Sequence, residues 1–176
     1  MTASERSTTT ILPMQHSPAV FVDALNLAYW CGNPPSLRVP LTVLSGLIDQ
    51  GHSPVLYFDA STRYRLVHEV DRYEELLSFP QFAVEVPAGK SADGQMLKHA
   101  RATGACILSR DMFRDHRKRY RKLIDDSTRL FPGFVSDDRV IIQALSLDVP
   151  LLPNLDEIWQ HLISQLRTQM ARVVPQ

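Results

Sequence analysis

The sequence predicts an α/β domain built on a mostly parallel sheet of about five strands with helices on both faces. From residue 19 onward, short apolar runs typical of buried strands alternate with amphipathic stretches of helical period. This alternation favours a parallel sheet, because two parallel neighbours must be joined by a crossover that is usually a helix. With 176 residues, 44% of them hydrophobic, the chain is long enough to bury one such core.

The strands are predicted from apolar runs rich in β-branched and aromatic residues. Four of them cover residues 19–22, 55–58, 82–86 and 105–108. A fifth is predicted near residues 139–144, after a loop that carries a proline and a glycine. Turn and cap residues separate the runs, so each is short enough to be a strand of ordinary length.

Helices are predicted between and after these strands. The predicted helices cover residues 37–50, 62–70, 72–78, 91–104, 112–124 and 155–172. Gly51 ends the first of them, Pro80 follows the third, and Ser91 is the expected N-cap of the fourth, which ends at Gly104. The last helix has one apolar face, which is more often part of a core than a dimer interface.

Composition limits the functions that the chain can have. Nineteen basic and nineteen acidic residues cancel, so no net charge attracts the chain to nucleic acid or to a membrane. No apolar run approaches the roughly 18 residues of a membrane helix, and we expect no membrane partner. The two cysteines form no disulfide framework, which favours a cytoplasmic location. Residues 1–17, rich in Ser and Thr, are expected to form a disordered tail before a single domain of residues 18–176.

Four aspartates follow predicted strands and are the best functional signal in the sequence. Asp23 ends the first strand, with Asn26 three residues later; Asp93 opens the helix after the third strand; Asp111 and Asp115 follow the fourth. Because the carboxyl ends of parallel strands meet at one edge of the sheet, we expect these acids to converge. Clustered carboxylates repel one another and are tolerated mainly around a hard cation such as Mg²⁺. The pattern is typical of a metal-dependent phosphoryl-transfer site.

Basic residues follow the last acid pair. If a helix begins at the end of the fourth strand, Asp111 and Asp115 lie on the same face of it, and Lys118, Arg119 and Lys122 continue along that face. Such a ridge suits a metal site beside a nucleic-acid backbone. The alternative is an ordinary solvated face with ion pairs between neighbouring turns.

Each motif taken singly also has a purely structural explanation. Asp23 and Asn26 can cap a turn, and Asp93 is favoured in a first helical turn by the helix dipole. For Asp59, at the end of the second strand, helix capping is at least as good an explanation as function. The triplet Gly89-Lys90-Ser91 is not a phosphate loop, because Val84 stands where that motif needs a glycine. The functional interpretation therefore depends on the four aspartates and Asn26 occurring together, in this order along the chain.

That ordered set resembles the PIN-like nucleases of the NYN branch, and it is most similar to the regnase-type endoribonuclease domain. The resemblance is carried by Asp23-x-x-Asn26, Asp93 and Ser109-Arg110-Asp111-x-x-x-Asp115, and by the segment of residues 129–135. It covers about residues 19–144. Ala24 replaces the glycine that usually follows the first aspartate, and the sequence shows no CCCH zinc finger of the kind found in animal members. RNA selection would then come from this domain, from a homodimer or from a protein partner.

The resemblance implies a Rossmann-like three-layer α/β/α sandwich that cleaves single-stranded RNA endonucleolytically with Mg²⁺ or Mn²⁺. The implied catalytic and metal-site acids are Asp23, Asp93, Asp111 and Asp115, with Asn26 in support. The residues expected to bind flanking phosphates are Arg114, Lys118, Arg119 and Lys122. The alternative function is a PIN-like module that binds RNA or a protein without cutting. A phosphatase or receiver domain is disfavoured, because Asp23 is the only acid at the end of the first strand.

Overall fold

The computed structural model describes residues 19–173, and its centre is an all-parallel sheet of five strands. The strand order is β3-β2-β1-β4-β5. The strands are β1 (Ala19–Asp23), β2 (Ser53–Asp59), β3 (Ala83–Val86), β4 (Cys106–Leu108) and β5 (Leu130–Phe131). The predicted α/β fold with a parallel sheet is confirmed. The predicted tail of residues 1–17 lies outside the described residues.

Helices pack on both faces of this sheet. In the described residues they are α1 (Ala24–Ala28), α2 (Arg38–Asp49), α3 (Thr62–Arg65), α4 (Val70–Leu77), α5 (Ala92–Thr103), α6 (Arg117–Ile124) and α7 (Leu155–Val173). None of the helices within residues 19–173 is long and apolar enough to cross a bilayer. The limits of α5 are as predicted: the Ser91 hydroxyl accepts a hydrogen bond from the Gly94 N–H at 3.2 Å, and Gly104 ends the helix with a φ of 80°.

The sheet separates two apolar clusters, which explains why the strands are apolar on both sides. Val20 and Val22 of β1 point into the larger cluster, with α1, α2, α4 and α7, whereas Phe21 points into the smaller one, with α5 and α6. Val20 and Val22 are fully buried, and burying a side chain of this kind contributes about 1.5–3 kcal/mol. The buried residues of α7 include Ile158, Trp159, Leu162 and Leu166, so its apolar face is part of the core.

The predicted fifth strand forms at residues 139–142, but its assignment to the parallel sheet is wrong. The fifth strand of the parallel sheet is β5, at residues 130–131, and residues 139–142 lie in a second, antiparallel sheet. That sheet consists of β6 (Phe134–Ser136), β7 (Arg139–Ile142) and β8 (Leu147–Pro150). Its first two strands are joined by Asp137 and Asp138, both with positive φ, which is the backbone of a tight hairpin. A two-residue turn cannot connect parallel strands, so β7 must pair antiparallel.

The strand order places a crevice beside β1. The chain leaves β1 toward β2 on one side and returns to β4 on the other, so the carboxyl ends of β1 and β4 flank the point where the direction of winding reverses. Ligands of open α/β sheets bind at such a point, because the loops after the two strands diverge there. The residues that follow β1 and β4 are therefore the ones best placed for function.

Candidate active site

Asp23 and Ser109 form the floor of the crevice. Val22 of β1 pairs with Leu108 of β4, so the next residue of each strand lies side by side. The Ser109 hydroxyl, which is 2% exposed, donates a hydrogen bond to Asp23 Oδ2 at 2.7 Å. Asp23 Oδ1 accepts a second, at 3.3 Å, from the backbone N–H of Asn26. These two bonds fix the orientation of the Asp23 carboxylate.

The surroundings of Asp23 disfavour its negative charge. Burial raises the pKa of this carboxyl to about 7, with a further contribution from the charges of Asp93 and Asp111. The hydrogen bonds from Ser109 and Asn26 act in the opposite direction and are outweighed. A carboxylate held in this way at neutral pH binds either a proton or a cation. Strongly shifted acids in a cleft are typical of functional sites.

Asp93 approaches the same crevice from α5. Burial raises the pKa of the Asp93 carboxyl, as do the charges of Asp111 and Asp59, while His116 opposes the shift. Asp59 at the end of β2 also positions the helix, because its Oδ1 accepts a hydrogen bond from the Ala92 N–H at 3.2 Å. Asp59 therefore caps α5, the helix after β3, and not the helix that directly follows its own strand. Asp59 is thus both a helix cap, as the sequence suggested, and a fourth carboxylate whose charge acts on Asp93.

Asp111 reaches the crevice from a loop, where the sequence had predicted a helix. The backbone between β4 and a 3-10 turn at Arg114–His116 is not helical, and α6 begins only at Arg117. Asp111 Oδ1 accepts a hydrogen bond from the Phe113 N–H at 3.0 Å, and the Asp111 N–H donates to Ser109 Oγ at 2.9 Å. Phe113 has a φ of 47° and is 2% exposed, so burial of its ring in the core holds this strained backbone.

Asp115 is exposed in the 3-10 turn before α6, and its charge is not among those that raise the pKa of Asp23 or Asp93. The prediction that Asp111 and Asp115 share one helical face is wrong, because no helix connects them. The structure therefore brings together Asp23, Asp93 and Asp111, with Asp59 behind them.

Asn26 connects the two loops at the crevice. Its Oδ1 accepts hydrogen bonds from Trp30 Nε1 at 3.0 Å and from the Arg110 N–H at 3.1 Å. The side-chain oxygen is therefore engaged by the protein and holds the loop after β4 against α1. This contact explains why an amide is needed three residues after Asp23, and it makes Asn26 a positioning residue.

The family of the chain follows from comparison with known proteins. Residues 17–145 match the family described as the Zc3h12a-like ribonuclease NYN domain. The chain belongs to this family. The resemblance stated from the sequence is thereby confirmed, and family membership indicates a ribonuclease with an RNA substrate. No curated protein matches the chain.

Solved structures agree with the fold of this NYN ribonuclease domain. Two structures of the nuclear protein-only RNase P 2 (PRORP2) from Arabidopsis thaliana are similar, with TM-scores of 0.56 and 0.59 and sequence identities of 18% and 16%. The aligned regions cover 74% and 77% of this chain but only 30% and 31% of the PRORP2 chains. The chain thus spans about three-tenths of the length of those structures, and at this identity the similarity shows the fold alone.

The basic residues of the NYN domain do not continue the face of the acids. Lys118, Arg119 and Lys122 are exposed and line a recess with Arg101 and Arg129, whereas Asp111 lines a different recess. The prediction that they share one helical face with Asp111 is therefore wrong, because the chain between Asp111 and the 3-10 turn is not helical. Arg114, also predicted to bind substrate, is exposed in the 3-10 turn.

The donor set of the crevice fits a hard divalent cation. The converging groups are carboxylate oxygens, which Mg²⁺ and Mn²⁺ prefer over nitrogen or sulfur ligands. Within residues 19–173, no group of three or more acid, histidine or cysteine side chains is placed so that it could hold a metal ion in this arrangement. Asp23 and Asp111 each have at least one carboxylate oxygen engaged by protein hydrogen bonds. The charges of Asp93 and Asp111 nevertheless raise the pKa of Asp23, and the charge of Asp111 raises the pKa of Asp93, so these acids interact electrostatically.

Proposed function

We propose that this NYN domain is a metal-dependent endoribonuclease that cleaves single-stranded RNA at the crevice between β1 and β4. The observation that carries the proposal is the convergence of Asp23, Asp93 and Asp111 on one crevice, where burial, together with the charges of Asp93 and Asp111, raises the pKa of Asp23 to about 7. Carboxylates are placed together at this cost mainly where a cation neutralises them. Membership of a ribonuclease family supports the same conclusion.

In this proposal Asp23, Asp93 and Asp111 hold Mg²⁺ or Mn²⁺. The bound cation would activate a water molecule and stabilise charge on the scissile phosphate, and the products would carry a 5′-phosphate and a 3′-hydroxyl. Asp115 stays a predicted member of the metal site.

The protein's own contribution is to fix the acids before RNA binds. Ser109 orients Asp23 through a 2.7 Å hydrogen bond, and the same hydroxyl accepts the Asp111 N–H. Asp59 and the Ser91 cap fix the start of α5 and with it the position of Asp93. Pre-oriented groups need no reorganisation when charge develops on the phosphate.

The exposed cations would bind the RNA strand beside the crevice. These residues are Arg114, Lys118, Arg119 and Lys122. Their phosphate contacts would be independent of base sequence. A homodimer or protein partner that selects the RNA, and a cytoplasmic site of action, remain further predictions.

The direct test is cleavage of a 5′-labelled single-stranded RNA by the pure protein in Mn²⁺, in Mg²⁺ or in excess EDTA. We expect cleavage with either cation and none in EDTA. Asp111→Asn should lower the rate about a hundredfold or more, because one metal-site charge is lost. Asp148→Asn is the matched control, since it removes an acid from an exposed ion pair with Arg139.

The outcomes separate the two functions. Unchanged wild-type cleavage in excess EDTA would contradict the metal dependence. RNA binding without cleavage under all three conditions would indicate the non-catalytic binding module instead.

A further inference from the structure

A rigidly mounted arginine borders the acid crevice. The guanidinium carbon of Arg110 lies 4.2 Å from the centre of the Trp30 ring, within the range of a cation–π contact. Its Nε donates a hydrogen bond to the Gly133 carbonyl at 2.6 Å. The backbone N–H of Arg110 and the Trp30 indole N–H both donate to Asn26 Oδ1. Side chain and backbone are therefore held from three directions.

The charge of this arginine is not matched by the protein. Arg110 is exposed. Within residues 19–173, no carboxylate forms an ion pair with it, and no acceptor receives a hydrogen bond from its terminal nitrogens. The nearby Arg117 differs, because it forms an ion pair with Asp125. A guanidinium has five N–H groups, and only the one on Nε is used here. The others are free to bind a planar anionic group such as a phosphate.

A recess beside Arg110 combines this cation with apolar side chains. Its volume is about 350 Å³, and Asp111 and Arg110 form part of its wall. The apolar lining residues are Met112, Ile124, Leu130 and Pro132. A volume of this size is within the range of small-molecule sites.

Met112 is exposed because its neighbour is anchored in the core. Phe113 is buried with a left-handed backbone, and Met112, one residue earlier, is 57% exposed. A strained backbone of this kind is usually kept where function requires it. If Arg110 served only as a structural strap, linking its own loop to the loop of Gly133, that role would explain the hydrogen bond from its Nε to the Gly133 carbonyl. It would not explain why the terminal nitrogens are unpaired or why Met112, next to Asp111, is exposed.

We propose that this recess binds one nucleotide of single-stranded RNA next to the scissile phosphate, with Arg110 contacting its phosphate and Met112 packing against its base. The inference rests on the proposed function and adds the subsite that positions the strand. Bases of single-stranded RNA are unstacked and can pack on guanidinium planes and apolar side chains, which paired bases cannot do. Asp111 lines the same recess, so a nucleotide bound there lies beside this proposed metal-site acid.

The test measures binding separately from cleavage. A 5′-fluorescein-labelled 12-nucleotide RNA of mixed sequence is titrated in EDTA at several salt concentrations, and binding is followed by fluorescence anisotropy. Arg110→Gln should weaken binding about tenfold, because a charge-assisted contact is lost, and should lower the salt slope by about one unit. Met112→Ala should weaken binding about fivefold without changing the slope, since only apolar contact is lost.

Two control variants match these changes elsewhere on the surface. Arg167→Gln removes an exposed arginine of α7, and Val67→Ala shortens an apolar side chain that is 68% exposed. Both should bind RNA like the wild type. With cation present, Arg110→Gln should raise KM more than it lowers kcat, and a thermal melt should show that it is folded.

The results distinguish this inference from the function on which it rests. If the wild type cleaves RNA while folded Arg110→Gln keeps the wild-type affinity and salt slope, the subsite is wrong and Arg110 is a structural strap. If Arg110→Gln does not fold, Met112→Ala decides, and unchanged affinity overturns the proposal. A wild type that neither binds nor cleaves RNA removes the proposed function and the subsite together.

Discussion

Neutralising Asp23 should stabilise the protein above neutral pH while abolishing its activity. The pKa of Asp23 rises from 3.8 to about 7 on folding. A carboxyl whose pKa is raised by folding contributes its full stability below the unfolded value and loses it as the pH rises through the folded value. The free energy of unfolding of the wild type should therefore fall between about pH 4 and pH 7, and Asp23→Asn should remove this part of the fall.

The magnitude follows from the size of the shift. About three pKa units at 1.36 kcal/mol each give an upper limit of about 4 kcal/mol for ionising Asp23 in the fold. Asparagine can still accept from Asn26 and donate to Ser109, but the charge-assisted character of those bonds is lost, at a cost of about 1–3 kcal/mol. The net gain at pH 8 should be about 1–3 kcal/mol, and each kcal/mol corresponds to about 2–4 °C in Tm for a domain of this size.

The assay is urea or thermal unfolding in EDTA at pH 5 and pH 8, with Asp148→Asn as control. EDTA keeps divalent cations from neutralising the crevice. At pH 5 the Asp23 carboxyl is mostly protonated in the folded protein but mostly ionised in the unfolded chain, so only part of the fall has occurred, and the gain of the variant should be about 2.5 kcal/mol smaller than at pH 8. A variant less stable than the wild type at pH 8, or equally changed at both pH values, would refute the electrostatic reasoning.

Three further predictions follow from other parts of the site. Replacing Lys118, Arg119 and Lys122 together with alanine should keep the fold but lower the salt slope of RNA binding by up to about three units. An unchanged slope would show that these cations are only a solvated surface. Gly133→Ala should lower stability by about 1–3 kcal/mol in a urea melt, because a Cβ there would lie 2.7 Å from the Trp30 ring. Ser109→Ala removes a hydrogen bond that lowers the pKa of Asp23, so the acidic limb of the cleavage–pH profile should move to higher pH, and an unmoved limb would contradict that role.

The sequence was sufficient for the parallel sheet and for grouping three aspartates at one edge of it. Asp23, Asp93 and Asp111 could be grouped because each follows a strand, and parallel strands present their carboxyl ends at one edge. The limits of α5 were equally accessible, since a Ser N-cap and a Gly C-cap are local signals.

The errors arose where tertiary contacts decide the local structure. Phe113 is held in a left-handed conformation by burial of its ring, which no local pattern reveals, and this removed the helical face assumed for Asp111 and Asp115. The strand at residues 139–142 was assigned to the wrong sheet, although the Asp137-Asp138 turn was a readable hairpin signal. Ser109 was not identified as a site residue, and for Asp59 capping and function stayed open, because a polar residue after a strand looks the same whether it caps a helix, orients a ligand or is solvated.

The central proposal is that Asp23, Asp93 and Asp111 bind divalent cation between β1 and β4. Mn²⁺ binding, measured by calorimetry on the wild type and on the Asp111→Asn and Asp115→Asn variants, tests it most directly. The account predicts saturable binding by the wild type, a loss of about tenfold or more in affinity for Asp111→Asn, where a charged ligand becomes neutral, and a smaller loss for Asp115→Asn. Equal Mn²⁺ affinity of the wild type and Asp111→Asn would contradict the account.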